Sequence, residues 1–144
     1  MKKLILWILI PFIAIQFIQI DAPSSIVSIS NQEIHAPKEI MDILKRSCYD
    51  CHSNSIIYPW YSNIAPISWY TKNHVKTGRK VVNFSQWRSY DIKKKIKVIK
   101  NLPKSIRIRM PLPDYLWMHK DAKLSKEDKK LLVNWATELK ENIK

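Results

Sequence analysis

The only two cysteines of the chain lie three residues apart, and a histidine directly follows the second one: Cys48, Cys51 and His52. This spacing is the pattern of covalent c-type haem attachment. Each thiol would form a thioether with one of the two vinyl groups on one porphyrin edge, and the imidazole of His52 would bind the iron. The pattern therefore predicts one covalent haem c, with His52 as the proximal ligand.

Two other kinds of site use a cysteine pair of this spacing. A disulfide or thioredoxin-like redox pair is one, but such a pair is expected in a βαβ unit, and the sequence shows no alternation of strand and helix patterns. A structural zinc site is the other, and it would need one of the three distant histidines as its fourth ligand. The motif and its surroundings favour haem.

A second axial ligand would approach the iron from the other face of the porphyrin. Met110 is our candidate, because the prolines that follow it stiffen the segment, and a rigid extended loop can present a thioether to the iron. Gap-filling in the core is the alternative role for this methionine. His74 and His119 are the alternative ligands, and either would give bis-histidine ligation.

Hydrophobic periodicity predicts helices on both sides of the motif. One helix begins near Pro37 and delivers Cys48, and another begins at Pro66 and is closed by Gly78 in a left-handed conformation. A third, lysine-rich helix is expected to end at Pro103. Residues 125–143 predict a C-terminal helix that starts with a capping box and packs against the first helix.

Aromatic side chains are concentrated after His52, and as a group they are expected to wall the porphyrin and exclude water. They are Tyr58, Trp60, Tyr61, Trp69 and Tyr70. Together with the helices, they predict an all-α, cytochrome c-like domain, residues 36–144, wrapped around one haem.

The N-terminus has the pattern of an export signal. Lys2 and Lys3 precede a run of 17 mostly apolar residues, which is at the short limit for crossing a bilayer. We expect residues 1–21 to form a hydrophobic helix that serves as an uncleaved signal-anchor, and residues 22–35 to form a tether. The alternative is a cleaved signal peptide, with Ala22 and Ser24 at the −3 and −1 positions of the cleavage site. The domain would then lie on the periplasmic face of the cytoplasmic membrane, or free in the periplasm if cleaved.

The chain resembles a family of small bacterial haem-binding domain proteins, single-haem c-type cytochromes with an N-terminal membrane segment. The resemblance covers residues 36–136 and rests on residues 44–54, 58–61, 64–69, 74–75, 78–79, 83–87, 110–111, 119–124 and 135–136. It implies an exported protein with haem attached at Cys48, Cys51 and His52, but it implies no particular reaction. Residues 105–109, which lead to Met110, are more basic than expected for the family.

The net charge of the chain indicates the kind of partner that it would bind. The formal net charge of +13 would attract an acidic redox partner or anionic lipid headgroups, although a general bias towards lysine and isoleucine also explains it. Nucleic acid is not expected as the partner of an exported haem domain.

Single-electron transfer with His52 and Met110 as ligands is preferred over enzyme activity. The alternative is a haem sensor or peroxidase-like enzyme, whose distal groups would come from His74, Arg79 and His119.

Overall fold

The computed structural model describes residues 2–25 and 30–143, which form seven α-helices, four short 3₁₀ helices and no β-strand. The all-α prediction is therefore confirmed for this part of the chain. The α-helices are α1 (Lys2–Gln16), α2 (Lys38–Ser47), α3 (Tyr49–His52), α4 (Ile67–Val81), α5 (Ile92–Ile108), α6 (Tyr115–Met118) and α7 (Lys126–Asn142). The 3₁₀ helices are Ser30–Gln32, Trp60–Asn63, Phe84–Ser89 and Lys120–Ala122.

The hydrophobic core lies where α5 and α7 pack on each other, with α2 against α7. Leu132 on α7 and Leu44 on α2 are both 0% exposed, and burial of a leucine side chain contributes about 1.5–3 kcal/mol. The predicted contact between the first helix of the domain and the last one is confirmed. It anchors the end of α2, and hence Cys48, in the core.

The prediction that Pro103 ends the lysine-rich helix is wrong, because α5 continues through this proline to Ile108. A proline inside a helix removes one backbone hydrogen bond and costs about 3 kcal/mol. The buried side chains of Ile99 and Ile106 lie on either side of it. Burying both of them against the core offsets the cost, and tertiary packing thus overrides the local signal.

The capping box predicted at the start of α7 is confirmed. The Ser125 hydroxyl accepts a hydrogen bond from the Asp128 N–H, and the Asp128 carboxylate accepts one from the Ser125 N–H, both at 2.9 Å. The same carboxylate lies 2.7 Å from the guanidinium of Arg46 on α2. Asp128 therefore caps the N-terminus of α7 and also ties this helix to α2, which leads to Cys48.

The hydrophobic N-terminal segment is a helix, α1, as predicted, and its apolar side chains are largely exposed. Its 15 residues correspond to a length of about 22 Å. In the described part of the chain, no helix is both long enough and apolar enough to cross a bilayer. A membrane-spanning anchor is therefore not supported.

The segment that follows α1 lies against the helical domain. The side-chain amide of Gln16 accepts a hydrogen bond from the Ala65 N–H at 2.9 Å and donates one to the Ala65 carbonyl at 3.1 Å. Further bonds join Ile18 to Trp69, Pro23 to Tyr58, Ser24 to Arg79 and Ser25 to Ile56. Residues 16–25, which we call the strap, are thus fastened to the domain. The last four residues of the strap, 22–25, belong to the predicted tether. Residues 26–29 of that tether lie outside the described ranges.

Candidate haem-binding site

The Cys-x-x-Cys-His segment follows α2 without an intervening loop. The Cys48 N–H donates to the Leu44 carbonyl at 2.9 Å, and the His52 N–H donates to the Cys48 carbonyl at 3.0 Å, so α3 continues the helical path. Leu44 and Tyr49 are buried on either side of the first cysteine. The expectation that a packed helix delivers Cys48 is therefore confirmed.

Gly78 does not end its helix, contrary to the prediction. It lies inside α4, and no described glycine has a positive φ. Its function is to allow a close approach, because a Cβ atom at this position would lie 2.6 Å from the Cys51 carbonyl oxygen. Only glycine, which has no Cβ, lets α4 pack this closely on the backbone of the cysteine motif.

Two backbone carbonyl groups orient the ring of His52, one within α4 and one directly after its C-terminus. Its Nδ1 lies 3.0 Å from the Gly78 oxygen and 3.2 Å from the Val82 oxygen. Because carbonyl oxygens only accept hydrogen bonds, Nδ1 carries the proton and Nε2 keeps its lone pair. Burial lowers the pKa of His52 and keeps the imidazole neutral. Metal-bound histidines commonly have this tautomer, with the nitrogen that does not bind the metal donating its proton to a carbonyl or carboxylate oxygen.

A cavity of about 360 Å³ opens beside the motif. Its wall includes Cys51 and comes from residues 56–61, from the first half of α4 and from the stretch between Leu112 and Met118. Most of these side chains are apolar or aromatic, as is usual for cofactor sites. Cys48 packs against the core, and neither Cys48 nor His52 is part of the cavity wall.

Two tryptophans of the cavity wall are unusually exposed for a folded domain: Trp60 by 68% and Trp117 by 78%. Exposed apolar surface of this size, around a concave site, commonly marks the place where a ligand binds. Tyr58, Tyr61 and Tyr70 belong to the wall, as the sequence predicted. Trp69 does not line the cavity, because its indole N–H donates to the Ile18 carbonyl of the strap at 2.9 Å.

The two thiols do not have the properties of a reactive dithiol. Burial raises the pKa of Cys48 to about 12 and that of Cys51 to about 11, whereas redox-active cysteines have lowered values. Among the residues that the structure describes, no three His, Cys, Asp or Glu side chains cluster as metal ligands would. Neither the redox pair nor the zinc site gains support. An apolar cavity at Cys51 and an oriented imidazole suit a porphyrin.

Met110 lies just beyond α5, half-buried, with its N–H donating to the Ser105 carbonyl at 2.9 Å. It is not part of the cavity wall, although Leu112 two residues later is. Met118 does line the cavity and is 59% exposed. Ligation of the iron by Met110 stays a prediction.

The other basic side chains considered from the sequence lie in different surroundings. His74 lines the cavity, with its Nδ1 3.0 Å from the Tyr70 carbonyl. His119 lies outside the wall, with its Nε2 2.8 Å from the Tyr61 hydroxyl. Arg79 donates hydrogen bonds to backbone carbonyls of Ser53 at 2.8 Å and of the strap at 3.1 Å. Only His74 therefore faces the cavity.

Two tyrosine–aspartate pairs at the cavity were missed by the sequence analysis. The Tyr115 hydroxyl donates to Asp50, inside the cysteine motif, at 2.6 Å, and the Tyr70 hydroxyl donates to Asp114. Burial and the bond to Asp50 raise the pKa of Tyr115, and the bond from Tyr70 lowers the pKa of Asp114. No local pattern signals these pairs, because their members are far apart in the sequence.

The site is an apolar cavity in a helical domain, with Cys51 of the Cys-x-x-Cys-His segment in its wall. A family model described as haem-binding domain matches residues 10–138. The chain belongs to this haem-binding domain family, and the resemblance seen in the sequence is confirmed. No curated protein and no solved structure matches the chain. The matched range begins within α1 and therefore includes the strap.

Proposed function

We propose that this protein is a c-type cytochrome that carries one covalently attached haem. The S–H bonds of Cys48 and Cys51 would add across the two vinyl groups, so that a C–S bond forms at each and the hydrogen goes to the neighbouring vinyl carbon. His52 would be the proximal ligand. The observation that carries this proposal is the pair of carbonyl oxygens at Nδ1 of His52, which leave Nε2 free for iron.

Single-electron transfer is the activity we propose for the loaded protein. The bound haem would supply the one-electron iron couple, and the apolar wall would exclude water and so favour a raised reduction potential. Met110 is the proposed second ligand. A peroxidase-like enzyme needs free acid and base groups at the distal face. Of the three candidates only His74 lines the cavity, since Arg79 is bonded to backbone and His119 to Tyr61. This supports electron transfer.

We propose that the protein works outside the cytoplasmic membrane, with the apolar α1 in contact with that membrane. Its partner would be an acidic redox protein. The net charge of +13 supports this proposal, since opposite charge speeds the association of electron-transfer partners. Exposed lysines on α5 contribute to this charge, among them Lys93, Lys97, Lys100 and Lys104.

Expression with a cytochrome c maturation system tests the attachment. The denatured protein should keep one haem by mass and absorption, and a Cys48→Ser, Cys51→Ser double variant should carry none. Wild-type protein that loses all haem on denaturation would refute the proposal. For the second ligand, the oxidised protein should show the weak far-red band of thioether ligation. Met110→Leu should abolish that band, and Met41→Leu, in α2, should keep it.

A further inference from the structure

One part of the cavity wall, between Leu112 and Met118, includes a very short helix, α6. α6 has four residues, and none of its side chains is fully buried. One helical turn has little stability of its own, because helix nucleation is unfavourable. The position of residues 112–118 over the cavity therefore depends on contacts with other elements.

Tyr115 makes the contact that joins α6 to the cysteine motif. Its hydroxyl donates to a carboxylate oxygen of Asp50 at 2.6 Å, in a half-buried position. Hydrogen bonds to ionised carboxylates are shorter and roughly twice as strong as those between neutral groups. Asp50 lies between the two cysteines, so this bond ties the wall directly to the segment where we propose haem attachment.

His119 connects Tyr115 to the part of the wall formed by residues 56–61. Its ring stacks on the ring of Tyr115, with centroids 4.2 Å apart and planes 6° apart. Its Nε2 is 2.8 Å from the hydroxyl of Tyr61, in the 3₁₀ helix after the motif. These four residues, Asp50, Tyr61, Tyr115 and His119, link three elements around the cavity, and we call them the wall clamp.

We propose that the wall clamp keeps the cavity closed over the haem and holds the segment that follows Met110 in place. Tyr115 and His119 are then positioning residues, and His119 is not an iron ligand. This inference rests on the proposed haem attachment. When a wall must open before an external ligand can bind, the measured affinity is reduced by the fraction of protein that is open. Breaking the clamp should therefore strengthen binding of small ligands to the iron.

Imidazole binding to the oxidised, haem-loaded full chain tests the clamp, with the absorption spectrum as readout. Tyr115→Phe keeps the stacked ring and removes the hydroxyl, and we expect its imidazole Kd to fall by about tenfold. Asp50→Ala should have the same effect. Asp50→Asn should have a smaller effect, about threefold, since the amide oxygen still accepts the hydrogen bond but as a neutral and therefore weaker acceptor.

Tyr49→Phe is the matched control, since it removes another tyrosine hydroxyl bonded to a carboxylate, that of Glu33, and neither residue lines the cavity. Its Kd should stay within about twofold of wild type. Equal Kd values for Tyr115→Phe and wild type would overturn the clamp, and so would equal effects of Tyr115→Phe and Tyr49→Phe. If Tyr115→Phe does not fold, Asp50→Ala against Asp50→Asn decides by the same criterion. The mass of each denatured protein separates the two proposals: absence of haem in wild type refutes attachment, whereas attached haem with unchanged Kd values refutes only the clamp.

Discussion

Replacing Gly78 by alanine tests whether close packing of α4 on the cysteine motif determines the site. The new Cβ atom would meet the Cys51 carbonyl oxygen at 2.6 Å, about 0.8 Å short of the 3.4 Å at which ordinary contact begins. Backbone atoms cannot rotate away, so the two helices must separate. Overpacking of this kind costs about 1–3 kcal/mol. The gain in helix propensity returns about 1 kcal/mol. We expect a net loss of about 0–2 kcal/mol in the free energy of unfolding.

The assay is urea unfolding of the loaded protein, together with the yield of covalent haem. Thr77→Ala is the control, because Thr77 is the exposed neighbour on the same helix and alanine is the better helix former. It should leave stability unchanged or slightly raised. At an exposed helix position with free space, Gly→Ala would stabilise the protein. A Gly78→Ala variant that is more stable than wild type and binds haem normally would therefore refute the close-packing argument.

Two further predictions concern the strap and the capping box of α7. Gln16→Ala leaves the N–H and the carbonyl of the buried Ala65 without their partners. Urea unfolding should therefore show a loss of about 1–3 kcal/mol in the free energy of unfolding. Gln19→Ala is the control, because it removes an exposed local bond and should cost under about 0.5 kcal/mol. For Asp128, burial alone would raise the pKa, but hydrogen bonds from the backbone at the start of α7 and from Arg46 outweigh it and lower the pKa below its usual 3.8. The carboxylate therefore stabilises the folded state above that pH, and Asp128→Asn should cost about 1 kcal/mol at pH 7. The stabilisation is complete above about pH 4 and is lost as pH falls through the lowered pKa. The difference between variant and wild type should therefore shrink below about pH 4 and disappear below the lowered pKa, and a difference independent of pH would contradict the assignment.

The features that the sequence predicted correctly depend on residues close together in the chain. Haem binding, which the family match supports, was indicated by Cys48, Cys51 and His52 within five positions, and the capping box of α7 by two residues three apart. The hydrophobic stripes that define α2, α5 and α7 repeat every three or four residues. Each of these signals can be read without knowing which elements meet in space.

The features that the sequence did not predict depend on contacts between distant segments. Gly78 has the local pattern of a helix end, and only the approach of Cys51 reveals its real function. Pro103 has the pattern of a helix stop, but burial of Ile99 and Ile106 keeps the helix intact. The bond between Asp50 and Tyr115 has no local pattern. In each case a tertiary contact decided between conformations that the local sequence allowed.

The geometry of the site depends on α4 more than on the cysteine motif itself. α3 is a single helical turn and cannot fix the orientation of His52 alone. α4 supplies one of the carbonyls that hold the imidazole, and Val82 directly after it supplies the other. The first half of α4 lines the cavity, and Arg79 near its end holds both the chain after His52 and the strap. A change that moves α4 should therefore disturb the histidine, the cavity and the strap together.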